Sequence, residues 1–377
     1  MGPAPHSRTP LTDILLQRIQ HDGPLTFAAF MEACLYHPQH GYYTQHASTR
    51  PSGDYFTSSD VGPLFGQLLG RQFREMWEAL SRPPRFELVE CGAGRGRLAE
   101  QVLTTVGEQA PDFLRTLHVT LVEASPRLRA HAKATPQKFG EIVRVTDKLP
   151  AGGVAGCIFS NELLDALPVH RVVQRHDGLR EIYVAARQGM LAEEEGELSS
   201  PAIADYLERY GAQLAEGQQA EVHLAALAWL ERAAAALERG FLLTIDYGYR
   251  AQDLYGPGRQ RGTVLAYRDH RAREDWLAMP GQQDLTAHVN FTALEERGRE
   301  LGLATLGLAP QTNFLLALAR ASGFADLEQP GGSETEKLRA RLALKQLVHP
   351  EGMGETFKVL VQAKGVADVY LSGLEPL

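Results

Sequence analysis

Glu90-Cys91-Gly92-Ala93-Gly94-Arg95-Gly96 is the stretch of this sequence whose residue types and spacing best suit the holding of a small ligand. The apolar run Phe86 to Val89 before it reads as a buried strand, and Arg97 to Leu103 has helical spacing. Alternate glycines at a strand-to-helix turn let the backbone bend sharply and admit a ligand close to the main chain. The helix beyond offers unpaired N–H groups to a negatively charged ligand group. A dinucleotide turn would read G-x-G-x-x-G, but Arg97 stands where its third glycine belongs. The spacing is E-x-G-x-G-x-G instead, with an acid leading. A tight glycine turn with no ligand is the alternative.

This spacing resembles motif I of the class I methyltransferases, which bind S-adenosyl-L-methionine (SAM). The leading acid fits that cofactor chemically, because SAM carries an ammonium and a sulfonium rather than a pyrophosphate. On that reading Gly92, Gly94 and Gly96 approach the methionyl part and Glu90 lies near its ammonium.

Further acids and amides stand where strands end. His118 to Val122 reads as a second strand and delivers Glu123, an acceptor for both ribose hydroxyls of an adenosyl cofactor or a helix cap, although Ser125 caps better. Ile142 to Val145 ends near Asp147, an acceptor for the adenine amino group or an ordinary turn residue. Cys157 to Phe159 delivers Ser160-Asn161-Glu162-Leu163-Leu164-Asp165-Ala166-Leu167-Pro168. In doubly wound sheets the ligand crevice lies at the carboxyl ends of the strands, so Asn161 and Glu162 face the reactive end of a bound cofactor. A strand end with a capping Asn is the alternative. Phe241 to Ile245, a fifth strand, ends in Asp246-Tyr247-Gly248 on the same edge. Gly53 to Asp60 is rich in Gly, Ser, Thr and Asp, and leads into a helix from Pro63 to Leu80. Hydroxyl-bearing backbone before a helix N-terminus suits a carboxylate, which makes Thr57 and Ser58 cofactor candidates.

The elements that must position these residues alternate strand and helix with no internal repeat, so the class is α/β. Residues 1–80 read as a helical N-terminal extension with a cofactor-covering loop, with helices at Leu11 to Ile19 and Phe27 to Tyr36. Residues 81–377 read as a Rossmann-like domain carrying a β-ribbon and helices inserted at about 169–239 and a lid-like segment at about 255–290. Asp177-Gly178 is the hairpin turn of the ribbon, and Glu193-Glu194-Glu195 reads as a solvated loop. Tyr255 to Gln283 reads as irregular, with few apolar anchors and mobile without substrate.

Composition narrows the class. With 377 residues, 44% hydrophobic and 22% charged, the chain is that of an ordinary globular protein. A net charge of −8 supplies no basic field for nucleic acid. Cys34, Cys91 and Cys157 form no CxxC pair, which points to a reducing compartment. No apolar run reaches membrane-spanning length, and residues 1–12 resemble neither a signal nor a transit peptide, so a cytoplasmic enzyme without membrane insertion is expected. His37 and His40 flank a proline without further ligands, so no metal is expected. The absence of G-x-S-x-G argues against a hydrolase.

Taken in order, several motifs resemble the MidA-like family of SAM-dependent methyltransferases. They are Gly53-Asp54-Tyr55-Phe56-Thr57-Ser58, the glycine turn, Ser160 to Pro168, Ile245-Asp246-Tyr247-Gly248, Asp284-Leu285-Thr286-Ala287-His288-Val289-Asn290-Phe291 and Met353-Gly354-Glu355-Thr356-Phe357-Lys358-Val359-Leu360. After Thr57-Ser58 this chain continues Ser59-Asp60-Val61-Gly62-Pro63, where the family has an acid and Ile-Ser-Gln. The resemblance implies a class I methyltransferase fold, SAM as cofactor and S-adenosylhomocysteine as product. Mitochondrial members of that family include a complex I assembly factor that methylates an arginine, so it also implies a protein substrate, in a respiratory-complex subunit. If the acceptor is arginine, Glu162, Asp165 and Asp246 are the acids to hold its guanidinium. Asn161 would orient the acceptor or the adenosyl group, and His288 would take the proton. Alternatively Asp165 caps a helix and His288 orders a loop. A non-catalytic SAM-binding assembly chaperone is the competing function. An NAD-dependent oxidoreductase is disfavoured by Arg97 and Glu90.

Overall fold

A strand that is apolar along most of its length is stable only when both of its faces are covered. Phe86–Cys91 (β1) is such a strand, with Phe86, Leu88, Val89 and Cys91 all buried. Its sheet also contains Leu117–Val122 (β2), Val143–Thr146 (β3), Val154–Asn161 (β4), Leu237–Tyr249 (β5), Ala304–Pro310 (β6) and Phe357–Lys364 (β7). The order is β3-β2-β1-β4-β5-β7-β6. The first five pair in parallel, and β7 runs antiparallel between β5 and β6. Chain order reverses between β1 and β4, which puts a topological switch point beside the glycine turn.

The computed structural model describes residues 8–45, 58, 61–211, 213–269, 271–324, 334–349, 356–367 and 369–376. Its contacts divide the chain into two compact units. The sheet unit holds Thr57–Leu163, Leu230–Gly248 and Arg297–Leu377, and the second unit holds Met1–Phe56, Leu164–Trp229 and Tyr249–Glu296. The division therefore runs differently from one between 1–80 and 81–377. Among the described residues, no helix is long and apolar enough to cross a membrane, and no group of three or more His, Cys, Asp or Glu is placed to hold a metal.

In the sheet unit, Leu64–Ala79 (α1) turns Leu64, Phe65, Leu68, Leu69, Phe73 and Met76 inward at helical spacing. Each such burial is worth roughly 1.5–3 kcal/mol. Phe73 packs on Phe159 of β4, ring centroids 4.9 Å apart. α1 also crosses Arg97–Gln109 (α2) closely. A Cβ on Gly66 would lie 2.4 Å from the Cβ of Gln101, so only glycine allows this approach.

In the second unit, Pro10–Asp22 begins with a capping box between Thr9 and Thr12, and Phe27–Tyr36 begins at Thr26, whose side chain accepts from the Ala29 N–H. These helices share an apolar core with Val169, Val184, Val264, Ala266, Trp276 and Leu285. The expected ribbon is part of a five-stranded antiparallel sheet containing His170–Arg175, Gly178–Arg187 and Met190–Gly196.

Two sequence readings change here. Glu193, Glu194 and Glu195 lie in a strand rather than a loop, in antiparallel register with Val184, Tyr183 and Ile182, and Arg171, Arg187 and Arg175 pair with them in turn. The segment expected to be irregular carries strands Leu265–Arg268 and Arg271–Arg273, and buries Val264, Ala266 and Trp276. Arg171, itself 1% exposed, sets its guanidinium against two rings, 5.0 Å from the centroid of Phe27 and 4.4 Å from that of Trp276. Trp276 Nε1 donates to Glu193 at 3.0 Å. One cation thus pins the Trp276 segment to the sheet, a long-range anchor that local composition does not reveal.

Candidate functional site

The turn after β1 is held at the end of β2. Gly92 and Ala93 donate their N–H groups to the Val122 carbonyl at 2.9 and 3.1 Å. Gly92, Gly94 and Gly96 have φ of +72°, +55° and +76°, the left-handed region that side chains other than glycine rarely adopt. What surrounds each one differs. A Cβ on Gly92 would meet Leu163 at 2.9 Å, and one on Gly96 would meet Thr135 Oγ1 at 2.6 Å. Around a Cβ on Gly94 no atom of the described residues lies within 4 Å, so among them room is left at the middle glycine of the three.

Glu90, at the end of β1, is 4% exposed, and its Oε2 has no hydrogen-bond partner among the described residues. Burial pushes its pKa up to about 8, against the pull of the Ala99 N–H and with the help of the Glu123 charge. An orphaned carboxyl oxygen under a glycine turn is suited to a cation, and the ammonium of SAM fits that chemistry. A carboxyl whose folded pKa lies above its unfolded value destabilises the fold as pH rises from about 4.5 toward about 8. Glu90→Gln removes this effect. The variant should match wild type in ligand-free stability near pH 4 and exceed it at pH 8 by a few kcal/mol, on the order of 4 by linkage. Urea titrations at both pH values would measure this, and a stability difference independent of pH would contradict it.

Glu123 is 7% exposed and braces the turn: Oε2 accepts from the Gly94 N–H and Oε1 from the Ser125 N–H, both at 2.8 Å. Burial raises its pKa, and those two N–H groups work against the rise. Ser125 caps the helix Pro126–Ala132, as its type suggests. Asp147 lies exposed in the bend after β3.

The end of β4 is tightly built. Glu162 takes a left-handed φ of +54°, and its N–H donates to the Ile245 carbonyl at 2.9 Å. Its Oε1 accepts from Asn161 Nδ2 and from the Ser58 N–H, each at 2.9 Å. Asp246 is fully buried and accepts from Leu163 N at 3.2 Å and Tyr247 N at 3.0 Å, so it fixes the backbone around this turn. Ser160 Oγ and Asn161 Oδ1 are buried without a partner among the described residues. Glu162, Asn161 and Ser58 are thus brought together in the sheet unit, while Thr57 falls outside the described residues. Gln311, which the sequence reading passed over, lies 3.3 Å from Ser58 Oγ. The signal it offered was a polar run, Gln311-Thr312-Asn313, at a strand-to-helix junction.

Asp165 and His288 belong to the second unit. The Asp165 carbonyl accepts from Ala287 N at 3.0 Å, and its carboxylate helps raise the pKa of Tyr43 and Tyr267, behind burial in each case. His288 donates its backbone N–H to Thr263 Oγ1 at 3.0 Å, and burial followed by the Arg259 charge lowers its pKa to about 4. Its imidazole is therefore neutral at pH 7.

The strand order and the glycine turn after β1 define a Rossmann-like class I methyltransferase fold. Residues 68–309 match the family model "Putative S-adenosyl-L-methionine-dependent methyltransferase", and the chain belongs to that family, whose cofactor is SAM. A crystal structure of a Burkholderia thailandensis protein bound to S-adenosyl-homocysteine is 30% identical, with 98% of this chain and 97% of that one covered and a TM-score of 0.87. A native structure from the same organism is 29% identical, with 98% of each chain covered and a TM-score of 0.85. The mouse protein named protein arginine methyltransferase NDUFAF7, mitochondrial, is 27% identical over 374 residues, 93% of this chain and 83% of that protein. Its human counterpart is also 27% identical, over 94% of this chain and 83% of that protein.

Proposed function

We propose that this SAM-dependent methyltransferase transfers its methyl group to an arginine nitrogen of a protein. The observation that carries the acceptor class is the similarity, over more than nine-tenths of the chain, to proteins named protein arginine methyltransferases. The residues of the sheet unit suit the cofactor half of the reaction. Glu90 receives the ammonium and ionises as it does so, Gly94 leaves room beside the methionyl chain, and Glu123 offers its remaining lone pairs to the ribose hydroxyls.

Bound SAM supplies an electrophilic methyl on sulfur. The displacement is in line: the nitrogen–methyl bond forms as the sulfur–methyl bond breaks, S-adenosylhomocysteine leaves, and the alkylated nitrogen gives up one proton to solvent, so the protein contributes mainly alignment and shielding of the reacting atoms. An arginine acceptor stays charged at neutral pH, its pKa lying above about 12. Glu162 holds that guanidinium by a charge-assisted hydrogen bond, and the Asn161 Oδ1 accepts one of its N–H groups. Asp246 keeps the turn that carries both residues in place.

The test is transfer of tritiated methyl from SAM into a lysate from cells lacking this chain, followed by mass spectrometry of the labelled band. Label on arginine is expected, and respiratory-complex subunits are the first acceptors to examine. Label on lysine or glutamine would reject the arginine assignment. SAM binding with no transfer into any protein would favour the assembly chaperone.

A further inference from the structure

Gln311 is fully buried at the start of the helix Gln311–Ala321 (α3), directly after β6, and uses both ends of its amide. Nε2 donates to the Leu347 carbonyl at 3.4 Å, and Oε1 accepts from Ser58 Oγ at 3.3 Å. Ser58, also fully buried, passes the connection on, because its N–H donates to Glu162 Oε1 at 2.9 Å. The neighbouring Thr312 donates its hydroxyl to the Val348 carbonyl at 3.0 Å. Gln311 and Thr312 therefore both satisfy carbonyls at the C-terminal end of the helix Glu334–Val348, where intrahelical partners run out. Of the two, only Gln311 is bonded to Ser58.

We propose that Gln311 is a positioning residue for cofactor binding, holding Ser58 so that the Ser58 N–H and the Glu162 carboxylate keep one geometry at the end of β4. The inference rests on the reading that this strand end belongs to the SAM site. A residue that only capped the helix would affect stability and nothing else. One that acts through Ser58 must affect affinity, and its effect must vanish once the Ser58 hydroxyl is gone.

S-adenosylhomocysteine affinity of the full chain, measured by calorimetry, tests this without knowledge of the acceptor. Gln311→Met removes both hydrogen bonds in a side chain of similar length and should weaken binding roughly tenfold, the scale of one lost buried hydrogen bond. Ser58→Ala should weaken it similarly, and the double variant no further. Gln311→Glu, whose carboxyl is protonated when buried and offers the same acceptor and donor, should restore affinity. Thr312→Val should lower Tm and leave affinity unchanged. Wild-type affinity in Gln311→Met, or losses that multiply in the double variant, would overturn the proposal. If Gln311→Met fails to fold, Ser58→Ala decides, because it removes the same bond from the other end. A roughly tenfold loss of affinity supports the coupling, and wild-type affinity overturns it. Wild-type protein that bound no S-adenosylhomocysteine would overturn the cofactor reading itself.

Discussion

Gly94→Val is expected to raise the Kd for S-adenosylhomocysteine by about 100-fold or more, which corresponds to roughly 2.8 kcal/mol of lost binding energy. Among the described residues, the direction a side chain would take from Gly94 is the one left open in the glycine turn. In the proposed placement of SAM, two valine methyls would occupy the volume assigned to the methionyl chain. The backbone conformation adds a second effect, since a left-handed L-residue costs about 1–2 kcal/mol. Gly140→Val isolates that effect: Gly140 has φ +68°, is exposed and also has no atom of the described residues within 4 Å of an added Cβ, yet is not part of the glycine turn. Both variants should lose comparable stability, and only Gly94→Val should lose affinity. Unchanged affinity in Gly94→Val would remove the turn from the cofactor site.

Glu162→Gln should separate binding from transfer. Glutamine keeps an Oε1 acceptor for the Ser58 N–H and for Asn161 Nδ2, which both hold this side chain. It also leaves the left-handed backbone at +54° under the same strain. What disappears is the negative charge that the proposal sets against the acceptor guanidinium. S-adenosylhomocysteine affinity should stay within about threefold of wild type, while the transfer rate falls by roughly 100-fold or more, the scale of breaking a buried charge-assisted pair. Transfer at the wild-type rate would exclude Glu162 as the arginine-holding acid.

The parts of this molecule that were legible in its sequence are those encoded locally. The turn was readable because three glycines at alternate positions and the acid ahead of them are neighbours in the chain. The helix expected from Pro63 to Leu80 is found at Leu64–Ala79, set by apolar spacing, and Phe27 to Tyr36 is found as read, set by apolar spacing and the capping Thr26. What could not be read depended on distant partners. Among the described residues, Leu163 beside Gly92 and Thr135, Leu121 and Ala132 beside Gly96 distinguish these two glycines from Gly94. The Ser58–Gln311 bond spans 253 residues, and neither residue type announces it. Three successive glutamates look like solvent-facing loop until arginines from the same sheet are set beside them. The segment around Trp276 looked unanchored for the same reason.

Each of the two compact units is assembled from three separate stretches, taken alternately along the chain. Such threading has a genetic consequence. A stop codon or frameshift anywhere from residue 57 to residue 296 removes part of both units at once, so no simple deletion expresses one of them intact. Truncation alleles of this gene will therefore behave as complete losses whatever their position in that interval. Separating the duties of the two units falls to single-residue changes, or to a rearranged reading frame that rejoins the three stretches of one unit through short linkers.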